Sequence, residues 1–276
     1  MMERSHRDVL GSGVRLRIYE QGPAGENVVL CLHSLFVDAR AFAGIAEQLS
    51  DEYRVVCPDL PGHGDSEKPP PSRFDYSVEA FADALVQLYG GLSIRRAVII
   101  GHGLGGSIAI DLAARHPELV TRLILIDAIC RPNPLFWGHR MLILPVVGGI
   151  FYKQLLGRTA FRALCRDRLF GYDDPIQNSR IDAYYDSINS PAGRGSILAT
   201  LRATADARPV LAQTVRLNVP TLVVWGRHDR LQPARVGQRL SREIRNAGFI
   251  LLDAGHSPHE QCPDMLVPII RRFLRA

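Results

Sequence analysis

Cysteine is scarce in this chain and never paired. The five residues, Cys31, Cys57, Cys130, Cys165 and Cys262, are odd in number, widely scattered and nowhere spaced C-x-x-C. That pattern argues against a disulfide framework or a zinc cluster, and makes a reducing, cytoplasmic setting the expectation. Long apolar runs are missing too. The most membrane-like stretch, "MLILPVVGGIF", falls well short of the roughly 20 residues a spanning helix needs. The opening "MMERSHRDVL" is charged and lacks the apolar centre of a secretory leader. Glutamate is absent between residues 129 and 219, where 12 Lys and Arg stand against 6 Asp. The net charge of +5 is therefore concentrated in that third of the chain. No Lys/Arg block or aromatic-interleaved basic run supports a nucleic-acid partner.

What is present is the composition of an ordinary globular protein, with 46% hydrophobic and 22% charged residues over 276 positions. Six apolar runs of strand length recur: "NVVLCLH", "YRVVCPD", "RRAVIIG", "TRLILID", "TLVVWG" and "GFILLD". They are rich in Val, Ile and Leu and lack in/out alternation, which suits strands buried on both faces of a parallel sheet. Amphipathic segments of helical length, such as "ARAFAGIAEQLS" and "SVEAFADALVQLYG", fall between them. The expected fold class is α/β, with a mostly parallel sheet and helices on both faces. The alternation breaks once, from about Cys130 to Asn218, where only helix-like pieces occur. The expected division is therefore a core of residues 1–129 and 219–276, interrupted by a helical insertion at 130–218 over the carboxyl ends of the strands.

Residues 98–107 read "VIIGHGLGGS". A strand running into a glycine-punctuated turn and a small-residue helix is the form of a nucleophile elbow, G-x-S-x-G. Here the elbow is Gly101-His102-Gly103-Leu104-Gly105, and the reactive position carries no side chain.

With that elbow the chain resembles the α/β-hydrolase superfamily over most of its length. "LCLHSLF" is similar to the family's oxyanion loop and "PDLPGHGDS" to the loop after the next strand. "VVWGRHDRLQP" is similar to the acid-bearing turn and "DAGHSPHEQCP" to the histidine loop. The resemblance implies a cap formed by the insertion, an acid at Asp229 and a catalytic histidine at His256. It also implies an oxyanion hole from the backbone N–H groups of Leu35 and Leu104. Where the family commonly has His-Gly in the oxyanion loop, this chain has His33-Ser34-Leu35. Ser34 and His102 are candidates for touching substrate, and Phe136, Trp137 and Tyr152 for lining the pocket. Asp127 is an alternative acid, more readily read as a strand-end residue satisfied by backbone amides. His63 reads as a loop former, and His259 equally as a pocket or a surface residue. Ser107 lies about one helical turn beyond the elbow and should point into packing.

A carboxylate bonded to one imidazole nitrogen fixes the tautomer and leaves the other nitrogen as a base. Gly103 itself cannot form a covalent intermediate. The reading favoured by the sequence is an enzyme in which the His256–Asp229 dyad acts as general base without a covalent step. Elimination is the preferred reaction, such as the acetate loss carried out by lyase members of the superfamily in polyketide pathways. Two alternatives stay open. One is a hydrolase that activates water directly. The other is a non-catalytic binding member, or an engineered Ser-to-Gly variant. A small-molecule substrate is expected, and a basic cap would suit an anionic one. No cofactor, metal or membrane partner is expected, and the sequence does not define an oligomeric state.

Overall fold

The six apolar runs become six parallel strands, because a run hydrophobic on both faces is stable only where helices cover both sides. A computed structural model describes residues 5–131, 150, 156–170 and 176–276. Its sheet has eight strands in the order β1-β2-β4-β3-β5-β6-β7-β8. The parallel set is β3 (Val28–Leu32), β4 (Arg54–Pro58), β5 (Ala97–His102), β6 (Val120–Ile126), β7 (Thr221–Gly226) and β8 (Ala247–Leu252). Two further strands, β1 (Ser5–Gly11) and β2 (Val14–Gln21), form an antiparallel hairpin on the β4 edge. The apolar-run criterion passes over them. β2 alternates buried Val14, Leu16 and Ile18 with arginines, as a strand with one wet face should.

One face of the sheet packs on α2 (Val78–Gly91), α3 (Leu104–Arg115) and α8 (Ala234–Glu243), through residues such as Phe81, Leu85, Ile108 and Leu240. The other packs on α1 (Ala43–Leu49) and, after the short α9 (Pro258–Gln261), on α10 (Pro263–Arg275), through Ile45, Leu49, Leu266 and Ile270. Ser77 caps α2, its hydroxyl accepting the Ala80 N–H.

Between β6 and β7 the described residues hold helices and no strand: α4 (Arg158–Cys165), α5 (Asn178–Ile188), α6 (Pro191–Ala203) and α7 (Arg208–Thr214). These helices engage the loops at the carboxyl ends of the strands. Arg40 after β3 donates to the Ala183 carbonyl at 2.9 Å, and Tyr76 after β4 meets the Ser196 hydroxyl at 2.9 Å. After β8, Tyr184 donates to Glu260 at 2.5 Å. Arg158 and Arg162 pair with Asp186 and Asp182 of α5, so part of this segment's positive charge is balanced locally. Among the described residues no helix is long and apolar enough to cross a membrane.

One close approach in the core is between α3 and β3. A Cβ on Gly105 would run into the Leu32 carbonyl and lie 2.8 Å from that of His33. Gly105→Ala is expected to force the helix off the strand at a cost of about 3 kcal/mol. Thermal unfolding of the variant should show a drop in Tm of several degrees or more.

Candidate active site

Asp229 and His256 lie in loops that leave adjacent strands, β7 and β8. Those loops are laced together by Arg227 N–H to Leu252 O at 2.8 Å and His228 N–H to Ala254 O at 2.9 Å. Across them His256 Nδ1 meets Asp229 Oδ2 at 2.8 Å, both side chains being essentially inaccessible. The second carboxylate oxygen of Asp229 accepts N–H bonds from Leu231 at 2.6 Å and Gln232 at 2.9 Å. Burial alone would raise the Asp229 pKa. The charge and hydrogen bond of His256, with help from Asp127, outweigh it and hold the group below its usual value. Asp229 is thus a carboxylate that orients His256 through Nδ1 and leaves Nε2 as the basic nitrogen.

Asp127 stands behind this pair at the end of β6. Desolvation first, then the neighbouring Asp229 charge, push its pKa far above the carboxylate range. Its protonated form is thereby favoured, and it is hydrogen-bonded to Asp229 while accepting the Gly226 N–H at 3.0 Å. The backbone satisfaction expected from the sequence is present, and the bond to Asp229 is additional. Asp127, Asp229 and His256 bring ligand atoms within 4.8 Å of one another. Their protons and lone pairs are already shared among themselves, an arrangement suited to moving a proton rather than caging a cation.

Gly103 turns sharply from β5 into α3, at φ 53° and ψ −112°, a region disfavoured for residues with a side chain. A Cβ built on it would point straight at the dyad, 3.4 Å from His256 Nε2. The same Cβ would collide with the Ser34 hydroxyl oxygen and lie 2.8 Å from the Ser34 Cβ. Ser34 thus fills the space in front of the elbow, and its Oγ accepts the Leu104 N–H at 3.2 Å. Leu35 follows in the same turn, ahead of Phe36 at φ 68°. Ser107 donates to the Ile129 carbonyl and faces away into packing.

His102 is bonded through Nε2 to the His256 carbonyl at 2.8 Å, with ring centroids 4.8 Å from His256 and 4.3 Å from His259. Enclosed in this way, it supports the histidine loop from behind. His259, for which the sequence left a surface position open, is fully buried against Phe42 and His102. A lone histidine carries no sequence signal for such a stack. His63 contacts the Pro61 carbonyl at 3.0 Å within its own loop. Phe136, Trp137 and Tyr152 lie outside the described residues. A cavity of about 600 Å³ opens at the sheet edge among Tyr19, Asp38, Arg40 and Asp59, well away from the dyad. Its acidic lining offers none of the groups that meet at Ser34 and His256.

The sequence model of the alpha/beta hydrolase fold matches residues 27–263. The chain belongs to the α/β-hydrolase fold family. An uncharacterized protein of Mycobacterium tuberculosis is 30% identical, with 97% of this chain and 80% of that one aligned. An uncharacterized hydrolase of Bacillus subtilis is 27% identical, with 91% of each chain aligned. Among solved structures, the enol-lactonase from Burkholderia xenovorans LB400 superposes with a TM-score of 0.82 at 26% identity, over 98% of this chain and all 100% of that one. Other hydrolase-fold relatives are named as an epoxide hydrolase from Xenopus tropicalis and a putative haloperoxidase from a mycobacteriophage, so the fold is shared across several reactions.

Three histidines near this site are stable only while neutral. Burial, reinforced by nearby imidazoles, lowers the pKa of His63 and of His259 to about 3, and that of His102 well below the ordinary value. In the unfolded chain each titrates near 6.5, so below that pH the unfolded state binds more protons. Stability is expected to be complete above about pH 6.5 and to fall as pH drops toward 3, by roughly 1–2 kcal/mol per histidine between pH 7 and 5. Urea unfolding at both pH values should show this loss, and His259→Phe should reduce it.

Proposed function

We propose that this protein hydrolyses an ester-type bond, a carboxylic ester or lactone, in a small molecule, with His256 as general base and Asp229 as its orienting carboxylate. The observation that carries the reading is the 2.8 Å bond between His256 Nδ1 and Asp229 Oδ2, which leaves Nε2 directed at the turn of the elbow. A base in that position withdraws a proton from a hydroxylic nucleophile as it attacks a carbonyl carbon, then returns it to the departing alkoxide. The N–H groups of Leu35 and Leu104 are the donors proposed for the oxyanion. The helices of residues 130–218 are proposed as a cap, supported by their contacts with the loops after β3, β4 and β8. The relatives' names, among them a hydrolase and an enol-lactonase, agree with this class of substrate.

The bare Gly103 favours a second reading, the one preferred from the sequence. There His256 removes a proton from the carbon next to a carbonyl and a β-acyloxy group leaves, with the Ser34 hydroxyl and the Leu104 N–H as donors to the developing enolate. The two reactions part in their products. Hydrolysis in ¹⁸O-labelled water places the label in the released acid or alcohol, whereas elimination gives an alkene and an unlabelled acid.

A panel of p-nitrophenyl esters, lactones and β-acyloxy ketones, followed by mass spectrometry, is expected to show labelled hydrolysis products. His256→Ala should lower turnover by about 10²–10⁴-fold. Asp229→Asn should also lower it severely, because an amide can stabilise the wrong imidazole tautomer. Alkene without label would establish the elimination reading. Full activity in His256→Ala would end both.

A further inference from the structure

We propose that Ser34, on the loop after β3, is the catalytic nucleophile of this protein and does the work that the elbow residue Gly103 cannot. The inference rests on the hydrolytic reading above and supplies the group that reading lacks.

A side chain on Gly103 would begin at a point 3.4 Å from His256 Nε2. The Ser34 Oγ lies beside that point, too close for a Cβ to be placed there without displacing it. Hydroxyl and imidazole are therefore both neighbours of one vacant carbon position, although they come from opposite ends of the chain. Ser34 is 3% exposed, so its hydroxyl is held in a nearly dry place. Its oxygen accepts the Leu104 N–H at 3.2 Å, a bond that holds the hydroxyl at the first turn of α3. Among the described residues no hydrogen bond has the Ser34 hydroxyl donating, and His256 Nε2 faces the same Cβ position of Gly103 at 3.4 Å. The backbone on either side is fixed. His33 Nδ1 donates to the Ser34 carbonyl at 2.8 Å, while its Nε2 accepts the Leu60 N–H at 2.9 Å. Ser34 also stands where the family commonly carries glycine, and Gly103 where it carries serine. The two replacements are complementary, since a side chain at position 103 would collide with Ser34.

The steps balance as follows. Ser34 Oγ attacks the ester carbonyl carbon while its proton passes to His256 Nε2. The tetrahedral adduct collapses, the C–O bond to the alcohol breaks, and the alkoxide takes the proton from His256. Water then attacks the acyl-Ser34 ester, giving its proton to His256. Collapse of that adduct releases the acid, and the proton returns to Ser34 Oγ.

The test treats the intact protein with a fluorophosphonate, whose phosphorus is attacked with loss of fluoride, and maps the adduct by peptide mass spectrometry. p-Nitrophenyl acetate turnover is followed in parallel. The expected result is one adduct, on Ser34, absent in Ser34→Ala and strongly slowed in His256→Ala. Ser34→Ala should lower kcat by at least about 10³-fold with unchanged thermal unfolding. Gly103→Ser alone should give no gain, because its Cβ collides with Ser34. The paired exchange Ser34→Gly with Gly103→Ser should move the adduct to position 103. Retained ester turnover in Ser34→Ala, or an adduct on another residue of the parent protein, would overturn the proposal and leave hydrolysis by directly activated water. Labelling of Ser34 without turnover of any ester would instead overturn the hydrolytic reading and leave the nucleophile assignment standing.

Discussion

The contact of α3 with the end of β3 governs everything at this site. With no side chain on Gly105, the first turn of the helix lies directly on the Leu32 and His33 carbonyls. The Leu104 N–H thereby comes within reach of the Ser34 hydroxyl, and Ser34 is brought in front of Gly103. A helix one side chain further away would leave the hydroxyl and the elbow as separate loops. Close packing without intervening atoms is what turns two turns of chain into one site.

Behind that contact the polar groups form a graded series. Asp127 favours its protonated form because it has lost water and faces a carboxylate; Asp229 favours the charged form because it has gained His256 and two backbone donors. Two acids of the same chemistry thus favour opposite protonation states, set by their partners. The histidines behave in the same way. Of the three stacked histidines His256 alone has a carboxylate partner on a ring nitrogen, whereas burial and neighbouring imidazoles push His102 and His259 toward the uncharged form. The site therefore has one basic nitrogen directed at the elbow, held there by the Asp229 carboxylate and enclosed by buried imidazoles.

Six strands and the order of the five motif loops were legible because burial on both faces writes continuous Val, Ile and Leu runs, and because turns at strand ends need Gly, Pro and Asp. The β1–β2 hairpin was not, since an edge strand with a wet face mixes arginine with its apolar residues and resembles surface chain. The partnership of Asp229 with His256 could be anticipated from chain order. The burial of His259 could not, because nothing in "SPHEQ" distinguishes a histidine under a loop from one on the surface.

The sequence by itself determined the parallel sheet, the elbow and the absence of a side chain at position 103, each a consequence of local residue type and periodicity. It also showed an unusual serine at position 34, as a second and unrelated oddity. Only the tertiary structure decided that the two are one feature. Ser34 and Leu104 are 70 residues apart in the chain, and no local pattern encodes the distance between side chains on different strands. That distance is set by how closely a helix can lie on a sheet, which is a property of packing and not of either segment alone.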